Sequence, residues 1–263
     1  MLLMVRAIEI FLKDQGSGTP TLLLHGNPDT ADIWDGITSH LHKNYRCIAP
    51  DLPGFGRSGD PGNFDCSLEN LALFVDDLVE AIGIAEPLNL VVHDFGGIIG
   101  LAWLVRHPEK VRRLVIMNMT FSSKYQWYTW AKLWRTPLIG ELSLLTLTWP
   151  VFYWSVRRAT RKLTTDQIRQ AYTFVTPRMK RMILRLYRAT ATKNFVGWED
   201  KLKEITVRLP AMVLWGDNDP YLPVWLADSF GTQHVKHFQD CGHWLPAEEP
   251  EKVAKELIQF FKD

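Results

Sequence analysis

The stretch Leu88–Gly97, LNLVVHDFGG, constrains this chain more than any other. An uncharged apolar run stops at a polar pair, and two glycines follow after one aromatic residue. This is how a buried strand turning sharply into a helix looks, with one side chain thrust out at the corner. The side chain at that corner is Asp94. A carboxylate attacking acyl carbon would give a reactive mixed anhydride. In-line attack on saturated carbon instead gives an alkyl ester that water can cleave. The identity of one residue therefore points towards carbon–halogen or epoxide hydrolysis.

The 263 residues allow one large α/β domain, or a core with a modest insert. Apolar runs alternate with helical patterns, which argues a parallel sheet covered on both faces. Val5–Phe11 reads as the opening strand. Thr21–Leu24 is a short buried strand running into His25-Gly26-Asn27-Pro28. Arg46–Ala49 is another, entering the loop Asp51–Ser58. Leu68–Ile82 has helical spacing with Ser67 as its N-cap. Leu88–Val92 precedes the corner, and Gly97–Arg106 is the helix after it, halted by His107-Pro108. Val111–Asn118 is the next strand. From Phe121 to Thr206 the pattern is helical and broken by Pro137, Pro150 and Pro177. Residues 121–206 therefore read as a helical cap inserted into a core of 1–120 and 207–263. Strands resume at Arg208–Trp215 and His234–Gln239, and Pro250–Phe261 closes as an amphipathic helix.

Three polar residues fall in loops just after strands. Asp94 is at the corner, Asp219 follows Trp215-Gly216-Asp217-Asn218, and His243 follows Asp240-Cys241-Gly242. In a parallel sheet these loops leave one edge, so the three side chains can meet. Asp94 is the expected nucleophile and His243 the base that activates water. Asp219 is the acid that orients the imidazole, with Asp217 as its competitor. Ester cleavage develops an oxyanion on the Asp94 carboxyl, for which the backbone N–H groups of Asn27 and Phe95 are the natural donors. Taken singly, each residue has a plainer use: Asp94 as an N-cap, Asp219-Pro220 as a turn, His243 as a loop histidine.

With these residues the chain resembles the α/β-hydrolase superfamily over nearly its full length. The nearest likeness is to the branch with an aspartate nucleophile, the epoxide hydrolases and haloalkane dehalogenases. His25-Gly26-Asn27-Pro28 with Trp34, the Pro53–Ser58 loop and His93-Asp94-Phe95-Gly96-Gly97 carry that likeness. The resemblance implies a mostly parallel central sheet flanked by helices and a triad in the order nucleophile, acid, histidine. Asn27 matches the dehalogenase asparagine that donates to the departing halide. Phe95 does not match the tryptophan usual beside the dehalogenase nucleophile, since phenylalanine has no donor. Trp127, Trp130 or Trp154 would have to replace it. Epoxide hydrolases use that position through its backbone and rely on two cap tyrosines as acids. Leu186-Tyr187-Arg188 resembles the element carrying one of them, and Tyr125, Tyr128 and Tyr153 are candidates for the other. Asn27 is the mismatch here, an aromatic residue being usual. Asn27, Trp34, Tyr125, Tyr153 and Tyr187 are thus the expected substrate contacts. The favoured reading is an epoxide hydrolase, with haloalkane dehalogenase as the alternative. A non-catalytic receptor and an ordinary esterase stand further off.

The cap stretch Leu138–Trp154, LIGELSLLTLTWPVFYW, would roof the site with apolar surface and favour small hydrophobic substrates. Formal net charge is +1, so nothing points to nucleic acid. Residues 121–206 nonetheless carry sixteen Lys or Arg against five Asp or Glu, and six of the eleven tryptophans. Such a surplus is usually a solvated face; a basic, tryptophan-rich cap resting on an anionic membrane surface is the other use of it. No metal-ligand spacing and no cofactor fingerprint is visible. Three widely spaced cysteines fit a reducing, cytoplasmic compartment, and the opening residues reach charge too early for a signal peptide.

Overall fold

A computed structural model describes every residue except Arg161 and Asp263. Its strands are β1 (Leu2–Val5), β2 (Ile8–Gln15), β3 (Thr19–Leu24), β4 (Tyr45–Pro50), β5 (Leu88–His93), β6 (Val111–Met117), β7 (Ala211–Gly216) and β8 (His234–Phe238). They form one sheet in the order β1-β2-β4-β3-β5-β6-β7-β8. β2 runs antiparallel to β1 and β4, and all other neighbours are parallel.

The helices of the core are α1 (Asp35–Leu41), α2 (Leu68–Ile82) and α3 (Phe95–Arg106). Between β6 and β7 come α4 (Thr129–Arg135), α5 (Ile139–Leu145), α6 (Trp149–Ala159), α7 (Thr165–Thr173), α8 (Pro177–Ala189) and α9 (Trp198–Thr206). The chain ends in α10 (Leu245–Glu248) and α11 (Pro250–Lys262).

The central strands read as unbroken apolar runs because both their faces are covered. Alternate residues go to opposite sides. Leu22, Leu90, Val92, Leu114, Ile116 and Val213 pack with α2 and α3 on one face. Leu23, Val91, Val115, Met117 and Leu214 pack with α1 and α11 on the other. Ser67 caps α2 as expected, its hydroxyl accepting from the Asn70 N–H, and Gly83 closes that helix in the left-handed region.

Two expectations change. The single opening strand Val5–Phe11 is a hairpin, with Val5 paired to Ile8 across Arg6-Ala7. Those two residues take positive φ values of 50° and 62°, a tight turn usually written with Asn or Gly. With neither residue present, the turn was invisible in the sequence. The second change concerns α9, the last helix of the expected insert. It packs on α3 and on Val224–Phe230, so it belongs with the core layer rather than over the sheet edge. The helices α4, α5, α6 and α8 lie over that edge and close a cavity above Asp94. No helix among the described residues is long and apolar enough to cross a membrane.

Candidate active site

Asp94 sits between β5 and α3 with φ 50° and ψ −124°, a conformation that costs energy and aims the side chain out of the turn. The glycines around it make room. A Cβ on Gly26 would run into the Asp94 carboxylate, and one on Gly96 would run into the backbone at the end of β3. Asp94 Oδ1 accepts the Asn27 N–H at 2.7 Å, and the Phe95 N–H also donates to this carboxylate. The two backbone donors expected for an oxyanion thus both reach this carboxylate, the Asn27 N–H at Oδ1. Oδ2 lies 3.7 Å from His243 Nε2.

His243 Nδ1 donates to Asp219 Oδ2 at 2.7 Å. Asp219 is fixed in turn by the N–H groups of Tyr221 and Leu222, at 2.8 and 3.1 Å, and by the Asn118 amide at 3.0 Å. The structure therefore brings Asp94, His243 and Asp219 together in one line of contacts. Asp217 faces away and binds the His237 ring at 2.7 Å. Burial works against the His243 imidazolium, but Asp219, Asp94 and Asp29 outweigh it and push the ring up to about 9. Burial raises Asp94 as well, opposed by the imidazolium and the two N–H donors.

The Asn27 loop is held from below. His25 donates from Nδ1 to the Gly26 carbonyl, leaving Nε2 to accept the Leu52 N–H at 2.9 Å. Asp51 accepts the Ala31 N–H at 2.6 Å and is paired with Arg57, which also reaches Asp32. The Asp51–Ser58 segment singled out in the sequence is thus the brace of the oxyanion loop.

Above Asp94 lies a cavity of about 110 Å³, lined mainly by apolar and aromatic side chains. Tyr187 and Tyr128 both face it, and their hydroxyls are 2.6 Å apart. The Asn27 amide also meets the Tyr187 hydroxyl. Burial holds both phenols well above their ordinary value, so both keep their protons. Trp127 stacks nearly parallel on Phe95, with ring centres 6.3 Å apart at 10°. Its indole N–H is buried and, among the described residues, has no hydrogen-bond partner.

Three expected substrate contacts fall elsewhere. Trp34 is fully buried with Ile37 and Leu41 beneath the sheet and does not reach the cavity. The Tyr125 hydroxyl is spent on the Tyr221 carbonyl at 2.8 Å, and its ring backs Trp127 instead of lining the cavity. Tyr153 lies outside the cavity, its hydroxyl accepting from Arg157 at 3.2 Å. Trp130 and Trp154 stand at the cavity rim, half exposed.

Sequence reasoning missed three supporting residues. Asn118 donates to Gly216 and Asp219 and accepts the Gly216 N–H, tying the ends of β6 and β7 together. An asparagine at a strand's end was the available signal. Tyr221 lays its ring edge-on to His243 and donates to the Ser155 carbonyl of α6. Asp29, next to the motif, is buried and accepts from the Trp244 indole at 3.1 Å. Burial pushes it up to about 7. Its neighbour His93 donates from Nε2 to the His243 carbonyl, so the unpartnered Nδ1 turns a lone pair towards Asp29, 4.0 Å away.

A family model described as alpha/beta hydrolase fold matches residues 19–250. The chain belongs to that family. This hydrolase is 26% identical to a cis-3-alkyl-4-alkyloxetan-2-one decarboxylase of Shewanella oneidensis, over 95% of this chain and 84% of the relative. It is 27% identical to epoxide hydrolase 3 of Xenopus tropicalis, over 92% and 71%. Among solved structures, an ancestral haloalkane dehalogenase superposes over the whole of both chains with a TM-score of 0.82 at 25% identity. The hydrolase is thus an enzyme of this superfamily, related to proteins named for epoxide hydrolysis and for haloalkane dehalogenation.

Proposed function

We propose that the hydrolase opens small hydrophobic epoxides through a covalent ester on Asp94. The observation that carries this reading is the pair of hydroxyls from Tyr128 and Tyr187 in the cavity that Asp94 also lines. Asp94 Oδ2 attacks a ring carbon and the C–O bond breaks. The oxygen that leaves takes a proton from the tyrosine pair, which burial has kept protonated. Asp94 Oδ1, bound by the Asn27 N–H with the Phe95 N–H beside the same carboxyl, becomes the ester carbonyl oxygen.

Esterification removes the Asp94 charge. That charge is one of those holding His243 up, so the ring now releases its proton more readily, and that proton restores the tyrosinate. His243 then takes a proton from water, the hydroxide adds to the ester carbon, and the diol leaves with Asp94 restored. The base becomes available only when there is an ester to cleave. The substrates named for two relatives, an oxetan-2-one and an epoxide, are both strained oxygen rings, and a phenol pair is a fitting acid for the alkoxide that an epoxide releases.

Haloalkane dehalogenation is the second reading, favoured by the unpaired indole N–H of Trp127 beside Phe95 and by the Asn27 amide. His243→Gln separates the two. This variant blocks ester cleavage and leaves alkylation intact. After exposure to styrene oxide and 1,2-dibromoethane in turn, the intact mass is measured. A gain equal to the whole epoxide supports the proposal. A gain only from the dibromide, short by hydrogen bromide, transfers the site to the second reading, and no adduct from either removes both.

A further inference from the structure

We propose that the exposed apolar rim of the helices above the cavity seats on an anionic phospholipid surface. The rim is built from consecutive elements. Leu138 is 77% exposed, and on α5 Leu142 and Leu145 are 64% and 73% exposed. Trp154 on α6 is 57% exposed, with Val151 one turn before it and Trp130 on α4 beside the same opening. Trp130, Val151 and Trp154 also line the cavity, so rim and interior form one continuous apolar surface. Water-facing leucines in this number have no use in the fold, since none of them packs into a core.

Charge selects the occupant. The segment that holds the rim, residues 129–189, carries twelve Lys or Arg against two acidic side chains, Glu141 and Asp166. The acidic residue within the rim, Glu141, is neutralised by a two-pronged pair with Arg188. Arg158 lies over the exposed Trp154 ring. Apolar and indole groups bordered by cations match the boundary of an anionic bilayer. A second copy of this chain fits poorly. A twofold contact through this face would press two equally basic surfaces together. Seated on lipid, the cavity mouth would open towards acyl chains, and an apolar substrate would enter without crossing water.

The full-length protein is pelleted with sucrose-loaded phosphatidylcholine–phosphatidylglycerol vesicles and with pure phosphatidylcholine vesicles, at low and high salt. Expected is binding to the anionic vesicles that weakens with salt. Leu142→Asp/Leu145→Asp should lower this partitioning on the order of a hundredfold while circular dichroism stays unchanged. Both positions are solvated and lie outside the cavity, so the fold tolerates the change. Absent binding, equal binding to neutral vesicles, or equal binding by the variant overturns the proposal. So does sedimentation equilibrium finding a dimer that the variant dissolves, with no vesicle binding, which assigns the rim to a second copy.

Discussion

At Asp94 the backbone is held at a positive φ that a β-carbon resists, and the surroundings are shaped to permit it. What this strain secures is a carboxylate with Oδ1 held by the Asn27 N–H, the Phe95 N–H at hand, and Oδ2 turned towards His243. Around it stand two sets of donors for a leaving group: the phenols of Tyr128 and Tyr187, and the indole of Trp127 with the Asn27 amide. They are chemically distinct, and substitution tells them apart. Tyr187→Phe is expected to lower kcat for styrene oxide about 10²-fold, since the developing alkoxide loses a proton donor. Trp127→Phe keeps the stacking on Phe95 and should leave epoxide turnover within a factor of about three. Steady-state rates of both variants decide the matter. If Trp127→Phe is the damaging change, the tyrosine pair is a packing contact and the acid lies elsewhere.

The elements carry these residues to one place, and the joint between β6 and β7 shows how. Both strands end at the sheet edge, and Asn118 bridges them with three hydrogen bonds, one of which steadies Asp219. Asn118→Ala would leave the Gly216 N–H and carbonyl buried without this partner and take one donor from Asp219. A loss of about 2–3 kcal/mol in unfolding free energy is expected, read from urea denaturation, with kcat falling alongside it. Unchanged stability would mean that the joint is held by packing alone. Such cross-ties mark the limit of what the sequence disclosed. The strands β3, β5, β6 and β7 were legible because burial on both faces forces unbroken apolar runs, and the meeting of Asp94, Asp219 and His243 because each lies in a loop after a parallel strand, β5, β7 and β8, at one edge of the sheet. Trp34 misled, since an aromatic near the motif reads alike whether it faces a cavity or the underside of the sheet. Tyr125 and Tyr153 misled for the same reason. A tyrosine's role depends on where its hydroxyl lands, and tertiary packing of short helices sets that. The Arg6-Ala7 turn carries no glycine or asparagine to announce it.

Across the whole molecule, the buried site makes folding depend on proton uptake. Asp29 moves from an ordinary 3.8 to about 7 on folding, so between those values the folded chain holds a proton that the unfolded chain has lost. His243 moves from 6.5 to about 9, and the same inequality holds across that window. Stability rises with pH only where the unfolded state binds more protons. Here the folded state binds more in both windows, so both groups make stability fall as pH climbs from about 4 to about 9. Burial pushes His25 and His93 below 6.5, so there the unfolded chain holds the extra proton and these two rings act in the opposite sense to Asp29, as do, lower still, the carboxylates that arginines and lysines hold low, such as Asp60 and Glu249. The melting temperature should therefore decline from about pH 7 to about 9, by an amount reflecting a few kcal/mol (order of magnitude) from His243, while below 6.5 Asp29 and the two histidines oppose one another. Two variants separate the contributions. Asp29→Asn keeps the shape and an acceptor for the Trp244 indole but cannot ionise, so between about 4 and 7 stability should shift towards rising with pH relative to the parent while the upper decline persists. His243→Gln should flatten the slope between about 6.5 and 9 and leave the lower one. Differential scanning calorimetry across this range measures both. A pH dependence between about 4 and 7 that Asp29→Asn leaves unchanged would mean that Asp29 stays ionised when buried, facing the Trp244 indole as a carboxylate.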